Sequence, residues 1–115
     1  YYTFTMTVHL IRKDTIELYS IQNAQSRDAF EEWMSKLKNA DWETSSDMKS
    51  TFPSVDLLGN GSSRAVFDIG GNKYRLIGKY AFGEKQVHLF ICWIGSHSEY
   101  DKLCKMNDQY TVNLY

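Results

Sequence analysis

Proline, cysteine and long apolar runs are scarce or missing in this sequence of 115 residues. It holds one proline, and no repeated or low-complexity stretch marks a linker, so a single domain is expected. Its two cysteines, Cys92 and Cys104, stand in dissimilar contexts, which argues against a disulfide framework and favours buried reduced thiols. No apolar run reaches the ~18 residues of a membrane span, and no signal peptide is evident. We therefore expect a cytoplasmic protein that does not enter a membrane.

A large charge of either sign is lacking as well. The formal net charge is -1, so bulk electrostatics gives no reason to expect nucleic-acid binding. Any such site must be a local basic patch on a balanced surface. The hydrophobic share of 43%, with 3 Trp, 8 Tyr and 6 Phe, is typical of a globular protein rather than a disordered one.

The N-terminal half predicts a strand followed by helices. Residues 7–11 have the pattern of a strand and residues 14–19 that of a short helix. An apolar stripe predicts a core-facing helix from 27 to about 40, with Ser26 as its N-cap. The sequence TSSD at 44–47 has capping-box spacing and opens a short helix that the proline closes. The stripe consists of Phe30, Trp33, Met34 and Leu37.

The C-terminal half turns to sheet. Residues 64–69, 73–81 and 86–94 predict three strands joined by tight turns, and a helix should run from Ser96 to about 106. The predicted class is α+β, a small antiparallel sheet with helices packed on one face. The other face should stay partly open and could receive an extended ligand.

The expected domain spans residues 7–106. Met6 is a plausible natural start, so residues 1–6 are expected to be a flexible start or a remnant of expression. Residues 107–115 should form a C-terminal tail or an edge strand.

Basic side chains concentrate on the strand 73–81. Because strand side chains alternate, Lys73, Arg75 and Lys79 share one side, while the tyrosines and Leu76 point to the core. A solvated strand face is the plain alternative for the three cations. Arg75 is the stronger candidate, since a mid-strand charge normally needs a partner and guanidinium suits bidentate phosphate recognition. We expect Arg64 and Asn72, which lie nearby, to contact the same ligand.

In the turn that begins the last helix, some residues have a structural role and others are candidates for chemistry. Ser96 and Glu99 have capping-box spacing, which explains both. His97 and Tyr100 are not needed for capping, and they are neighbours on the helix surface, as are His97 and Asp101. A helix N-terminus attracts phosphate and disfavours an imidazolium, so His97 could exchange protons there. The histidines and cysteines lack any zinc spacing, and no metal site is expected.

Two segments together resemble the signatures of the HigB toxins of the RelE-like superfamily. Residues Val66–Ile77 (VFDIGGNKYRLI) look like that family's strand–turn–strand signature. Residues Ile94–Asp101 (IGSHSEYD) look like its second signature, with Ser96 where Thr is usual, which keeps a hydroxyl cap. The resemblance covers nearly all of residues 7–105 and leaves 110–115 outside.

The resemblance implies a small RelE/ParE-like fold and ribosome-dependent cleavage of mRNA in bacteria, with no metal and no other cofactor. It implies a HigA-like helix-turn-helix antitoxin that covers the toxin and binds operator DNA, so DNA is contacted only through the complex. In such cleavage Arg75 would clamp the phosphate, His97 would transfer the proton, and Tyr100 would position the reacting groups or share that transfer. Lys73, Lys79, Asn72 and Arg64 would bind the RNA.

Two rival functions stay open. A ParE-like relative would share the fold and inhibit a topoisomerase without catalysis. An RNA-binding module would use the open sheet and exposed aromatics without cutting. The pair His97 and Tyr100 beside Arg75 favours cleavage, because a pure binding module does not need it.

Overall fold

The computed structural model describes residues 5–115. Within them lie five strands and four α-helices, with short 3₁₀ turns at Ala24–Ser26 and Ser45–Asp47. In chain order the elements are β1 (Thr7–Ile11), α1 (Lys13–Gln22), α2 (Arg27–Lys38), α3 (Met48–Thr51), β2 (Asp56–Leu58), β3 (Arg64–Ile69), β4 (Tyr74–Phe82), β5 (Gln86–Ser96) and α4 (His97–Lys105). Residues 1–4 of the expected flexible start lie outside the described part. Met6 is buried, 8% exposed, so the fold begins before Thr7.

The five strands form one sheet in the order β1-β5-β4-β3-β2. Strands β3, β4 and β5 make the predicted antiparallel meander, which confirms the α+β class. The sheet is nevertheless mixed, because β1 pairs in parallel with β5. Because β1 pairs with the side of β5 that β4 does not use, β5 lies in the interior of the sheet. The three-residue strand β2 was not predicted, since it is too short to show alternation.

The main core lies between one sheet face and the helices α1 to α3. The predicted stripe of α2 is confirmed, with Phe30, Trp33 and Leu37 buried. Phe67 of β3 stacks on Trp42 with ring centroids 6.5 Å apart and meets Trp33 edge-on at 5.3 Å. These aromatic contacts fasten the helical layer to the sheet.

The opposite face, called here the second face, is not open along its length. Helix α4 packs on it through Tyr100 and Leu103, against Val66, Ile77 and Trp93. The prediction that all helices gather on one face is therefore wrong for α4. A bulge in β5 explains the difference, because Ile77 pairs with Trp93 and the next residue, Gly78, pairs with Ile91. The extra residue, Cys92, and Trp93 belong to the apolar cluster on the second face against which α4 packs.

The caps are partly as predicted. Both halves of the Thr44–Asp47 capping box are present, and α3 ends before the proline. Ser26 does not cap α2, since its hydroxyl donates to the carbonyl of Asn23 at 2.6 Å.

Cys92 and Cys104 are both free thiols, the first buried and the second half-buried. No helix in the described range is long and apolar enough to cross a membrane.

Residues 107–115, called the C-terminal segment, contain no strand and lie across the second face. Arg64 anchors them: its Nη1 donates to the carbonyls of Val112 at 2.6 Å and Gln109 at 3.2 Å. The amide of Leu114 donates to the carbonyl of Cys92 at 2.8 Å. Arg64 is 6% exposed beneath this segment, and its expected contact with RNA stays a prediction.

Replacement of Arg64 by leucine is expected to release the C-terminal segment. Each hydrogen bond from a charged donor contributes about 1.5 to 3 kcal/mol, so hydrogen exchange at the Leu114 amide should rise at least about tenfold. Amide exchange measured by NMR checks this, with Arg27→Leu on the exposed side of α2 as a control. Unchanged protection of Leu114 in Arg64→Leu would contradict the anchoring role.

Candidate active site

The β3–β4 hairpin fixes Arg75 on the second face. Its turn contains Gly70 and Gly71, both at φ 67, where a side chain would be strained. Across the strands Arg75 lies opposite Asp68, and its Nε is 3.0 Å from Asp68 Oδ1. Its Nη2 donates to Asn72 Oδ1 at 2.7 Å, so the guanidinium is held by the strand and by the turn.

The guanidinium of Arg75 keeps donors to spare. Its side chain is 11% exposed. Besides the ion pair with Asp68 and the hydrogen bond to Asn72, Nη1 donates to the carbonyl of Tyr74 at 3.3 Å. Guanidinium has five N–H groups, so two have no partner among the described residues. A cation on a solvated strand face would be exposed and mobile, whereas Arg75 is held in place. With two donors free, it is suited to bind an anion.

The first turn of α4 lies beside this hairpin. Ser96 Oγ accepts from the amide of Glu99 at 3.2 Å, and Glu99 Oε1 accepts from the amide of Ser96 at 2.8 Å, so the predicted capping box is present. The amide of His97 donates to the carbonyl of Lys73 at 3.0 Å. These bonds tie the start of α4 to the turn residues next to Arg75.

The imidazole of His97 has a carboxylate partner one turn along α4. Its Nδ1 lies 3.1 Å from Asp101 Oδ2, which confirms that the two are neighbours. This carboxylate favours a proton on Nδ1, and Nε2 then carries a lone pair that can accept one. The His97 side chain is partly exposed, so a ligand on the surface can reach it.

Tyr100 points toward the sheet instead of the solvent. Its ring lies 6.1 Å from that of Trp93. Burial, followed by the neighbouring Cys104 and the charge of Asp56, raises the pKa of Tyr100 well above its usual range, while Arg75 acts in the opposite direction. Tyr100 is thus close enough to Arg75 to feel its charge. At neutral pH its hydroxyl keeps the proton and can donate a hydrogen bond.

The four other residues that were expected to bind RNA lie in two separate groups. Asn72 and Lys73 lie in the turn beside Arg75, and Asn72 already accepts from it. Arg64 and Lys79 lie farther along the second face, opposite one another on β3 and β4. The structure therefore brings Arg75, His97 and Tyr100 into one neighbourhood and leaves Arg64 and Lys79 in another.

Sequence reasoning missed three neighbours of the site. Asp68, which holds Arg75, could have been found from the hairpin register, because a turn closed by Ile69 and Tyr74 puts Asp68 opposite Arg75. Cys104, one turn after Tyr100, could have been found from helical spacing. Trp93 could not, since its side depends on the bulge. Within residues 5–115 no three His, Cys, Asp or Glu side chains converge as metal ligands would.

Residues 26–103 match the model of a family described as the RelE-like toxic component of a toxin–antitoxin system, HigB toxin. The chain belongs to the HigB toxin family. This HigB-family chain is also similar to the mRNA interferase HigB of Escherichia coli O6:H1. The two are 30% identical over 98 residues, which cover 85% of this chain and 93% of the relative. The resemblance noted from the sequence is confirmed.

The family match includes the hairpin that carries Arg75 and most of α4, with His97 and Tyr100. As a HigB-family toxin, the chain is the toxic half of a toxin–antitoxin pair. Arg12 and the C-terminal segment lie outside the residues 26–103 that the family model matches.

Proposed function

We propose that this toxin is an endoribonuclease that cuts translated mRNA on the bacterial ribosome, in the cytoplasm. The observation that supports it most is the grouping of a firmly held Arg75 that has two free donors with the His97–Asp101 pair at the start of α4. The curated relative is named an mRNA interferase, which points the same way. The proposed site combines an anion clamp with a proton acceptor.

The proposed reaction is an internal transfer at phosphorus. His97 Nε2 accepts the proton of the ribose 2′-hydroxyl, whose oxygen forms a bond to the neighbouring phosphorus as the bond to the 5′-oxygen breaks. Arg75 donates to the non-bridging oxygens, where negative charge grows. Tyr100 donates its proton to the departing 5′-oxygen, which is far more basic than a phenolate even when the pKa of that phenol is raised.

The products of this reaction are a 2′,3′-cyclic phosphate and a 5′-hydroxyl. The phenolate left on Tyr100 lies within the field of Arg75 and regains a proton from water. His97 loses its extra proton to solvent, which completes the cycle. The protons and bonds balance without a metal, so we propose a metal-independent reaction.

The proposed partners follow from the same site. Family membership implies an antitoxin, and we propose a HigA-like helix-turn-helix protein that blocks the second face or the approach to it. Operator DNA would be bound only by the complex. Co-purification with the product of the neighbouring gene should yield a stable complex. Harmless high-level expression of the chain by itself would contradict the toxin proposal.

Primer extension on transcripts after brief induction tests the proposed function. We expect site-specific breaks within translated messages and none in untranslated control transcripts, because the ribosome presents the substrate. Intact messages accompanied by DNA damage would instead support a ParE-like topoisomerase inhibitor. Intact messages with bound RNA would support a binding module and overturn the nuclease proposal.

A further inference from the structure

A cavity of about 340 Å³ lies between the sheet and the C-terminal segment, on the second face. It is called here the C-terminal pocket. Lys79 of β4 pairs across the sheet with Phe90 of β5, and both line it. Its volume lies at the lower end of the ~300 to 1,000 Å³ of small-ligand sites. The residues that matter to its chemistry are Arg12, Arg64, Lys79, Phe90, Cys92 and Tyr115.

Positive charge is concentrated in the C-terminal pocket. Three of its lining residues are cations, and no Asp or Glu side chain is among the described lining residues, although the chain's net charge is -1. Arg64 and Lys79 are direct cross-strand partners, an arrangement of like charges that destabilises a sheet unless a counter-charge is present. Arg12 has a partner, since its Nε is 3.3 Å from Asp14 Oδ1. The pocket therefore favours an anion.

Arg64 has donors left for that anion. Its two hydrogen bonds to the C-terminal segment both use Nη1. The three N–H groups on Nε and Nη2 have no hydrogen-bond partner among the described residues. A guanidinium that is 6% exposed and lines a cavity can offer these groups to a ligand without reorganising.

The walls of the C-terminal pocket include aromatic rings. Phe90 on β5 is 41% exposed, and Tyr115 in the C-terminal segment is 39% exposed, so both rings are accessible to a ligand. Cations beside exposed aromatic rings are the means by which proteins bind single-stranded nucleic acid, the phosphate on the cations and the base on a ring.

We propose that the C-terminal pocket is a second nucleotide-binding site, which holds a phosphate against Arg64 and Lys79, with Arg12 alongside, and a base against Phe90 or Tyr115. The assignment of this nucleotide to mRNA rests on the proposed function. Arg12 and Tyr115 lie outside the family-matched residues 26–103.

The pocket's position makes it a site for a nucleotide beyond the cleaved bond. Lys79 follows Arg75 by four residues on β4, which separates them by ~13 Å at strand rise. Val112 packs on the face between the two sites, so an RNA strand would pass over it. A mononucleotide can fill only one of the two sites, whereas an oligonucleotide can reach both.

NMR titration of the full chain tests the C-terminal pocket. The probes are inorganic phosphate, AMP and a labelled RNA hexanucleotide, whose affinity is also measured by anisotropy at several salt concentrations. The hexanucleotide should shift the amides of Phe90, Cys92 and Leu114 together with those near His97. Lys79→Gln should weaken its binding about tenfold and reduce the salt slope by about 0.7, the loss of one phosphate contact on a single strand. Phe90→Leu should weaken AMP binding but not phosphate binding.

The control variant is Lys38→Gln, on α2 beyond the other face of the sheet, which should leave affinity and slope unchanged. Unchanged affinity and slope in Lys79→Gln would overturn the proposal, as would hexanucleotide shifts confined to the region of His97. AMP bound as tightly as the hexanucleotide would make the ligand a free nucleotide and overturn the RNA assignment. Cleavage of messages in a translation extract is scored separately. Cleavage without pocket binding overturns only this proposal, and pocket binding without cleavage overturns only the nuclease proposal.

Discussion

Replacement of Arg75 by alanine is expected to abolish growth inhibition and to lower mRNA cleavage at least about 10²-fold. The reason is the loss of the donors that face growing charge at the phosphate, an effect of about 10² to 10³ for one such donor in other enzymes. Cleavage is measured in a reconstituted translation reaction, and growth is measured after induction. Antitoxin binding should stay near normal.

Stability is the main complication for Arg75→Ala. The change leaves Asp68 without its ion-pair partner and Asn72 Oδ1 without the donor it accepts from, and a half-buried carboxylate without its partner is costly. Circular dichroism and thermal unfolding must therefore accompany the assay, and the double change Arg75→Ala with Asp68→Ala restores the balance of charge. Arg27→Ala removes a similar pair, Arg27 Nε with Glu31 Oε1 at 3.3 Å on exposed α2, and is the matched control. A folded Arg75→Ala protein that remains fully toxic would show the phosphate clamp to be wrong.

Replacement of His97 by glutamine is expected to lower cleavage by about 10² to 10⁴, the usual loss of a general acid or base. Glutamine keeps hydrogen-bonding capacity but cannot take up a proton, so ribosome binding should survive. Asp101→Asn should cause a smaller loss, because it leaves the imidazole in place and removes only the carboxylate 3.1 Å from Nδ1. Single-turnover rates on ribosome-bound message measure these effects.

Tyr100→Phe separates packing from chemistry, because it keeps the ring on Trp93 and removes the hydroxyl. Burial raises the pKa of Tyr100, so the protonated form that donates persists at high pH. Activity should then fall only above the ordinary tyrosine range of about 10 as pH rises, and this fall should disappear in Tyr100→Phe. Wild-type rates in both His97→Gln and Tyr100→Phe would mean that proton transfer lies elsewhere, with Lys73 the next candidate.

Local signals were enough to predict much of this fold. The α2 stripe, the capping boxes at Thr44 and Ser96 and the β3–β4 hairpin depend on residues close in sequence, and all appear as predicted. The parallel pairing of β1 with β5 joins residues about 80 apart and has no local signature. Ser26 does not cap α2, because it is the last residue of a 3₁₀ turn and its hydroxyl donates to the carbonyl of Asn23 just before that turn.

The candidate site was predictable in its residues but not in its surroundings. Alternation placed Arg75 on the face away from the main core, and helical spacing joined His97 to Asp101. The side of the sheet taken by α4 depends on the bulge at Cys92, which adds one residue to β5 and cannot be inferred from alternation. The burial of Arg64 depends on the C-terminal segment, which has no regular structure. The path of that segment could not be predicted, because its sequence has no periodic pattern.

The chemical nature of the cut ends is the most direct test of the central claim. In a purified translation system containing the full chain, the ends of the cleaved message are identified by phosphatase and kinase sensitivity. Attack by the 2′-hydroxyl leaves a 2′,3′-cyclic phosphate on one fragment and a 5′-hydroxyl on the other. We also expect the message to be cut only when ribosomes translate it. Ends that carry a 3′-hydroxyl and a 5′-phosphate, or a message that stays intact during translation, would contradict the mechanism assigned to Arg75, His97 and Tyr100.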